Sequence, residues 1–221
     1  TSDLTLLVSE FEKQYLTREI GPFPVEIIPL IYEEIEEVAP FKERADFAFV
    51  GGFRHTPNLD AVDYLVNQIW PEYLKRGGTG KLYIIGSHMP AEIKEIDQEG
   101  VISVGFVEDL ESFLSGVKAT LAPLRYGAGV KGKVGNSLRQ GVPVVASQIA
   151  AEGMGLKYDE EILVSDIVPE FVEHMLKVEI DETVWNALST NGREAANRKF
   201  GYQAAKKKLS RIVKTLIDQS E

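Results

Sequence analysis

Basic side chains and glycines share a short stretch near the middle of the chain, residues 123–133. Its members that could do chemistry are Arg125, Gly127, Gly129, Lys131, Gly132 and Lys133. Glycine lets backbone amides approach a ligand closely, and lysine and arginine supply positive charge. These residue types together are typical of an anion site, and phosphate is the usual anion. The alternative is that the glycines only shape a tight turn.

The residues on either side of this loop predict the elements that position it. The apolar run 119–122 indicates a buried strand, and Val134 and Leu138 lie four residues apart, as on one face of a helix. Gly141 and Pro143 end that predicted helix. A helix start presents unpaired N–H groups and partial positive charge, so the predicted helix adds to the charge of the loop.

The loop nearly matches the phosphate-binding loop of nucleoside triphosphatases. Four residues separate Gly127 from Gly132, which Lys133 follows. The next residue is Val134, where magnesium binding requires a serine or threonine hydroxyl. The loop also follows the fourth predicted strand rather than the first. The phosphate-binding interpretation therefore stands, whereas an ATPase interpretation does not fit.

From residue 46 onward, short apolar runs alternate with helical patterns. The predicted strands are 47–50, 81–85, 101–104, 119–122, 142–146 and 162–164. Helices are predicted over roughly 59–74 and over 91–98, and residues 150–153 are predicted to be a loop. Strands that alternate with helices imply right-handed crossovers and a parallel sheet. We therefore predict an α/β fold, a Rossmann-like parallel six-stranded sheet with helices on both faces. Ligands of such sheets bind at the carboxyl ends of the strands, where the loop 123–133 lies.

Other candidate residues fall at the same edge of the predicted sheet. Gly51 and Gly52 follow the first strand and fit either a backbone close to a ligand or an ordinary turn. Arg54 comes next and would contact a second anionic or hydroxylic group. His55 fits ligand contact and local loop hydrogen bonding equally well. Glu152 follows the fifth strand, where its carboxylate would accept hydrogen bonds from sugar hydroxyls or cap a turn.

Composition limits the class of protein. With 221 residues, 44% of them hydrophobic, the chain can bury one substantial core. A net charge of −10 argues against nucleic acid as the main partner. Cysteine is absent, and His88 and His174 lack the spacing of metal ligands, so we predict no metal site. No apolar run approaches the ~20 residues of a membrane span, and we expect a cytoplasmic protein.

Domain boundaries follow from the same patterns. Residues 1–30 read as strand, helix and strand, with Ser9 as the helix N-cap, and are too few to form a core of their own. We assign them to the tail of an N-terminal domain, 31–45 to a linker, 46–200 to the main domain and 201–221 to a C-terminal helix. Between residues 193 and 214 there are eight basic residues and one acidic residue. We interpret them as a solvated helix face, and peripheral membrane contact stays open as the alternative.

Seven short motifs in a fixed order carry a family resemblance. They are Phe49-Val-Gly-Gly-Phe, His55-Thr-Pro-Asn-Leu-Asp-Ala61, Tyr83-Ile-Ile-Gly86, Gly105-Phe-Val, Pro123-Leu-Arg, Gly127-Ala-Gly-Val-Lys-Gly-Lys133 and Gly141-Val-Pro-Val-Val-Ala146. Over residues 46–200 the chain resembles the donor-binding domain of group 1, family 4 retaining glycosyltransferases of the GT-B fold. Residues 1–30 resemble the end of the N-terminal, acceptor-binding domain, and most of that domain would lie outside this chain.

The resemblance implies a nucleoside-diphosphate sugar as donor substrate, a glycan or glycolipid as acceptor, and no cofactor or metal. By that analogy Gly129, Val130 and Lys131 contact the diphosphate and the sugar. Phe106 and Val107 contact the base, largely through backbone. Gly51, Gly52 and His55 line the side of the cleft that faces the acceptor. Transfer with retention would then require fixed cations and amides that stabilise the charge of the departing diphosphate.

Two departures from the family pattern concern side chains of this site. Ala128 and Asn136 occupy the positions of two glutamates that many relatives carry, of which the second binds the ribose. Gly52 and Pro57 occupy the places of an arginine and a lysine that bind the diphosphate. Their substitutes would be Arg54, Arg125, Lys131 or Lys133, and Asn136 would hydrogen-bond the ribose less strongly than a carboxylate does.

Two other interpretations remain open at this point. A nucleotide-sugar epimerase has the same two-domain architecture, and a non-catalytic domain that binds nucleotide or a protein partner would explain the missing glutamates. For the leading interpretation, we expect the chain alone to bind a nucleoside diphosphate weakly. We also expect it to transfer sugar poorly, because half of the cleft would be missing.

Overall fold

The computed structural model describes residues 3–35, 37–127 and 129–218, and it begins with a small unit. This unit comprises strand β1 (Thr5–Leu7), helix α1 (Glu10–Ile20) and strand β2 (Val25–Ile27). The two strands pair in parallel and form a sheet of their own. Ser9 Oγ accepts a hydrogen bond from the Glu12 N–H at 3.2 Å, which confirms the predicted N-cap. The domain boundaries that we placed at residues 30, 45 and 200 stay predictions.

A six-stranded sheet forms the centre of the rest of the chain. Its strands are β3 (Ala45–Val50), β4 (Leu82–Ile85), β5 (Val101–Gly105), β6 (Val117–Ala122), β7 (Val144–Ala146) and β8 (Leu163–Val164). They lie in the order β5, β4, β3, β6, β7, β8, and all neighbours are parallel. The predicted Rossmann-like α/β class is therefore confirmed.

The strand order places a topological switch point between β3 and β6. The chain builds the sheet outward from β3 through β4 to β5, returns to β6, and then builds in the opposite direction. The loops after β3 and after β6 consequently diverge and leave a crevice between them. In open parallel sheets, ligands bind in such a crevice. The predicted site residues after both strands border it.

Helices cover both faces of the sheet. They are α2 (Thr56–Tyr64), α3 (Trp70–Lys75), α4 (Ala91–Lys94), α5 (Leu110–Ser115), α6 (Gly132–Arg139), α7 (Gln148–Ala151), α8 (Val168–Ile180), α9 (Glu182–Phe200) and α10 (Tyr202–Asp218). Alternate residues of β3 point to opposite faces. Phe47 and Phe49 enter the larger core, and Ala48 enters a smaller one with Ile85 and Leu114. Within the described residues, no helix combines the length and hydropathy that crossing a bilayer requires.

The helices differ from the prediction in three places. The helix predicted from residue 59 begins at Thr56 and contains a π-helical turn, Leu65–Ile69, between α2 and α3. The helix predicted for 91–98 ends at Lys94. Helix α7 overlaps the stretch 150–153 that we interpreted as a loop, and it begins where Ser147 Oγ accepts a hydrogen bond from the Ala150 N–H at 3.2 Å. Such one-turn helices are too short to show a period in the sequence.

The predicted linker is held against the main body at both of its ends. Tyr32 pairs with the backbone between helices α9 and α10. Its N–H donates to the Phe200 carbonyl at 2.8 Å, and its carbonyl accepts from the Tyr202 N–H at 3.1 Å. Arg44 is buried and donates to four backbone carbonyls, those of Ala39, Leu114, Val117 and Gln140. Burial lowers the pKa of Arg44 to about 10, so it remains charged at neutral pH.

Candidate active site

The loop after β6 folds around one of its own cations. Lys131 Nζ donates hydrogen bonds to the carbonyls of Gly129 at 2.7 Å and Gly127 at 3.1 Å. These two glycines have φ angles of 79° and 129°, which other residues adopt only with strain. Ala128, which lies between these two glycines, is outside the described residues. The glycines are therefore required by the conformation that brings the Lys131 ammonium back onto the loop.

Helix α6 begins directly after this loop. Lys131 occupies its N-cap position, and Val134 N–H donates to the Lys131 carbonyl at 2.9 Å. The N–H groups of the first helical turn lack partners within a helix, and they carry partial positive charge. The crevice at the switch point thus receives the start of a helix together with the cation of the preceding loop. Val130 packs partly buried against the larger core and fixes the approach of the loop.

Lys133 connects the two loops that border the crevice. Its Nζ donates to Asn58 Oδ1 at 2.7 Å and lies 4.4 Å from the centre of the Phe49 ring. Asn58 Nδ2 in turn donates to the Gly52 carbonyl at 2.8 Å. Burial, with a smaller contribution from the charge of Lys131, lowers the pKa of Lys133 to about 7. The structure therefore brings Lys133 and the Gly51–Gly52 loop together.

Close packing explains the glycines after β3. A Cβ atom on Gly51 would lie 2.7 Å from Asn58 Cγ, so the backbone approaches that side chain as closely as only glycine permits. A Cβ atom on Gly127, from the opposite loop, would lie 3.4 Å from Pro57 Cγ. The loop after β6 consequently approaches the first turn of α2 closely. Gly52 has more room, because a Cβ atom there would lie 3.6 Å from Ser87 Oγ.

The predicted arginines and His55 lie apart from this contact. Arg125 binds the Asp60 carboxylate through two hydrogen bonds, one of them 2.9 Å long, and stacks 4.9 Å from the Tyr64 ring. Asp60 raises the pKa of Arg125 through these hydrogen bonds. Arg54 is exposed, and His55 is exposed at the N-cap position of α2. The structure therefore directs Arg125 toward α2 and leaves Arg54 and His55 at the surface.

The residues predicted to contact the base follow β5, and the residue predicted to contact the ribose lies on α6. Phe106 is 74% exposed, which leaves its ring open to a ligand, while Val107 packs against the smaller core. Asn136 Oδ1 accepts a hydrogen bond from Arg139 Nε at 2.9 Å. Arg139 also binds the Glu111 carboxylate at 2.6 Å. Arg139 thus bridges Asn136 and the Glu111 carboxylate of α5, an arrangement that our interpretation of the sequence missed.

Glu152 ends helix α7 and faces the loop after β6. Its charge raises the pKa of Lys131, against the larger lowering that burial causes. A cavity of about 620 Å³ adjoins it, lined among others by Glu10 of α1 and Tyr158. Among the described residues no cluster of histidine and carboxylate side chains has the arrangement of a metal site. Glu152 therefore brings a negative charge near the Lys131 ammonium.

Our interpretation of the sequence also missed Asn58, Asp60 and Tyr32. Asn58 received no role, yet its side chain contacts the loop after β3 through the Gly52 carbonyl and the first turn of α6 through Lys133. Asp60 stands one turn after the helix start, where its partner Arg125 is 65 residues away. Tyr32 donates its hydroxyl to the Gly132 carbonyl at 2.9 Å from the predicted linker. No local pattern indicates such contacts, because each depends on the order of the strands.

Comparison with known proteins covers both loops of the crevice. The profile of the family described as "Glycosyl transferases group 1" matches residues 44–181, more than half of the chain. The chain belongs to the group 1 glycosyl transferases. The members of this family are enzymes, and the matched segment runs from Arg44 through every strand of the large sheet.

Relatives of this glycosyl transferase are distant in sequence and near in structure. An uncharacterized 44.6 kDa protein in the cps region of Klebsiella pneumoniae is 24% identical in an alignment 155 residues long, which covers 64% of this chain and 40% of that protein. Sucrose-phosphate synthase from Thermosynechococcus elongatus has a TM-score of 0.76 at 18% identity, covering 99% of this chain and 59% of that one. Anabaena Alr3699/HepE, solved with UDP and glucose, has a TM-score of 0.73 at 11% identity, covering 96% and 63%. At these identities, the two structures establish the fold alone, and the chain spans less than two thirds of each relative.

Proposed function

We propose that this chain carries the donor-binding part of a retaining glycosyltransferase, which moves a sugar from a nucleoside-diphosphate sugar to a glycan or glycolipid acceptor. One observation carries the proposal. Two lysines, Lys131 and Lys133, and the start of α6 converge on the switch point of a parallel sheet. A diphosphate is the ligand that suits this combination of cations and unpaired N–H groups.

The proposal assigns the chemistry of the transfer to these groups. As the bond between the sugar C1 and the diphosphate oxygen breaks, its electron pair moves onto the diphosphate. The acceptor hydroxyl forms the new bond to C1 on the same face, and its proton passes to the departing phosphate oxygen. Fixed cations and amides stabilise the growing charge of the diphosphate without reorganising during the reaction. Lys131, Lys133, Gly129 and Val130 are the residues that we place in this role.

Further assignments belong to the same proposal. Phe106 and Val107 would contact the base, Asn136 the ribose, and Glu152 the sugar. Alr3699/HepE, which shares the fold, was solved with UDP and glucose, and this supports a nucleotide-sugar donor. We also propose a cytoplasmic protein of polysaccharide synthesis, consistent with a relative that is described as a protein of a cps region. The donor is a substrate, and we assign no cofactor.

Titration calorimetry tests the proposal directly. UDP, GDP and ADP are titrated separately into the chain at up to millimolar concentration. We expect at least one to bind, and Lys131→Gln and Lys133→Gln each to weaken that binding about five- to 150-fold, because each removes a charge-assisted hydrogen bond worth roughly 1–3 kcal/mol. Lys206→Gln, on the exposed side of α10, serves as the control and should bind as the wild type does. Absence of binding to all three nucleotides would overturn the proposal.

The epimerase alternative predicts a different product. An epimerase converts a nucleotide sugar without an acceptor, whereas a transferase leaves the sugar stereochemistry unchanged under those conditions. Incubation of the chain with a bound nucleotide sugar alone, followed by product chromatography, separates the two. The match to the group 1 glycosyl transferases favours transfer, and we expect no epimer.

A further inference from the structure

Asn58 occupies a central position between the two loops of the crevice. The residue is 8% exposed, and its side-chain amide both accepts and donates a hydrogen bond. The oxygen accepts from Lys133 Nζ at 2.7 Å, and the nitrogen donates to the Gly52 carbonyl at 2.8 Å. The side chain is packed so closely against Gly51 that a Cβ atom there would lie 2.7 Å from Asn58 Cγ. Asn58 therefore links α2, α6 and the loop after β3 through one side chain.

The amide is chemically suited to hold an ammonium that must still attract an anion. A carboxylate at this position would neutralise the charge of Lys133, whereas an amide oxygen accepts the hydrogen bond and leaves the net charge intact. An ammonium carries three N–H donors. Among the described residues, Lys133 donates one of them, to Asn58, and its charge also faces the Phe49 ring. The side chain is thus oriented while donors remain for a ligand in the crevice.

We propose that Asn58 is a positioning residue of the donor site: it orients the Lys133 ammonium at the switch point and joins it to the Gly52 carbonyl. A bound diphosphate would then meet this charge and the loop after β3 as one unit. The inference rests on the proposed function and adds to it a residue that contacts no reacting atom. Asn58 acts through Lys133 and through the Gly51–Gly52 loop.

The protonation of Lys133 provides a direct measure of this role. The charged groups around it are Lys131 in the preceding loop, which opposes its protonation, and Glu152, which acts on Lys131. On α2, Asp60 is already paired with Arg125. Because the pKa of Lys133 is about 7 in the free protein, part of the population is neutral at pH 7.5. A bound diphosphate favours the charged form, so binding takes up a proton, and affinity falls as pH rises above 7.

Substitutions of Asn58 should move this pH dependence in opposite directions. Asn58→Ala removes the oxygen that accepts from the charged form, so the pKa of Lys133 falls and the loss of affinity begins at lower pH. Asn58→Asp places a negative charge beside the ammonium, so the pKa rises and the loss begins at higher pH. We expect both variants to bind the nucleotide about three- to thirtyfold more weakly at pH 7.5. In Asn58→Ala, Lys133 is protonated less often, and in Asn58→Asp the added carboxylate offsets the positive charge of the protonated lysine.

The experiment is a calorimetric titration of UDP between pH 6 and 9, in two buffers of different ionisation enthalpy. Lys133→Met, which cannot take up a proton there, corrects for the titration of UDP itself. Asn67→Ala is the matched control on the same helical stretch, because Asn67 is exposed and donates only to Asp63 among the described contacts. We expect the wild type and Asn67→Ala to take up more protons on binding than Lys133→Met does, and the difference is the uptake by Lys133.

The outcomes separate the two proposals. If the wild type binds UDP and the pH midpoint of binding is the same in Asn58→Ala, Asn58→Asp and the wild type, the positioning role is overturned and the proposed function stays in place. A wild type that binds none of UDP, GDP and ADP overturns the proposed function and this inference with it. If Asn58→Ala does not fold, the isosteric Asn58→Asp still decides, because an affinity and a pH midpoint both equal to those of the wild type would show that residue 58 does not act on Lys133. If UDP fails but GDP or ADP binds, that nucleotide replaces UDP.

Discussion

Lys118 and Lys133 are two lysines with little access to water, and they differ in the charged side chains around them. Lys118 Nζ donates to the Phe41 carbonyl at 2.8 Å near the start of β6. Burial lowers the pKa of Lys118 to about 8; the carboxylates of Glu182 and Glu179 partly oppose this change, and Arg44 adds a smaller lowering of its own. Lys133 instead has Lys131 beside it, which lowers its pKa further. A lysine near carboxylates suits a structural role, whereas a lysine beside a second cation suits a site that receives an anion.

At this scale we predict that Lys118→Met changes how stability depends on pH. The pKa of Lys118 is about 8 in the folded protein, against an ordinary value of 10.5, so between these pH values the unfolded chain binds more protons. The wild-type free energy of unfolding should therefore rise with pH in that window, by about 1–2 kcal/mol relative to Lys118→Met. Urea unfolding of both proteins at pH 7.5 and pH 10 measures this difference. Parallel changes in the two proteins would show that Lys118 titrates normally.

The helical stretch after β3 illustrates how one element adapts to its sequence. Pro71 has no N–H group and would collide with a preceding carbonyl in a regular helix. The π-helical turn Leu65–Ile69 directly precedes it, and this wider turn accommodates the defect. Gln98 Nε2 donates to the Val66 carbonyl inside that turn at 3.0 Å. The packing of Val66 and Ile69 into the core is therefore retained although the helix is irregular.

We predict that Gln98→Ala lowers the free energy of unfolding by about 1 kcal/mol, because the partly buried Val66 carbonyl loses its donor. Asn67→Ala is the control, since its hydrogen bond to Asp63 is exposed and should contribute less than about 0.5 kcal/mol. Chemical unfolding monitored by tryptophan fluorescence gives both values, as Trp70 is buried beside the turn. Equal losses in the two variants would mean that the π-helical turn does not depend on Gln98.

Elements of this chain could be predicted where the physics is local. The buried parallel strands, such as 47–50, are continuous apolar runs, and the glycine-rich loop before α6 is visible in the sequence. The contact between Lys133 and Asn58 joins residues 75 positions apart, and it exists only because β6 lies beside β3. The engagement of Arg125 by Asp60 has the same cause. The composition of the site was therefore readable, while the direction of each side chain required the strand order.

At the scale of the whole molecule, Arg44 joins parts of the chain that are distant in sequence. Its guanidinium donates to carbonyls from the segment before β3, from α5, from β6 and from the residue after α6. It also stacks 5.2 Å from the Trp185 ring of α9. Five donors in a fixed planar arrangement can satisfy several carbonyls at once, which a lysine cannot do. Arg44 thus fixes the entry of the chain into the sheet.

We predict that Arg44→Met costs about 2–4 kcal/mol of the free energy of unfolding, because several buried carbonyls lose their donors together. Arg18→Met is the control, since the Arg18 side chain is 72% exposed in its ion pair with Glu19 and should change stability by less than about 0.5 kcal/mol. Thermal unfolding followed by circular dichroism compares the two. A loss in Arg44→Met no larger than that in the control would refute the joining role.

The hydrogen bonds of Tyr32 have a mechanical consequence. The chain passes between the β1–α1–β2 unit and the main body near residue 32 and again near residue 201, and these passages are bonded to each other. On the far side, Lys208 of α10 lies 4.0 Å from Glu26 of β2, so this helix contacts the small unit as well. Two adjacent, bonded passages hold the small unit to the main body more firmly than a single strand of chain would. The Tyr32 hydroxyl, bound to the Gly132 carbonyl, places this double connection in direct contact with the first turn of α6, so a load on the small unit would be transmitted to the start of that helix.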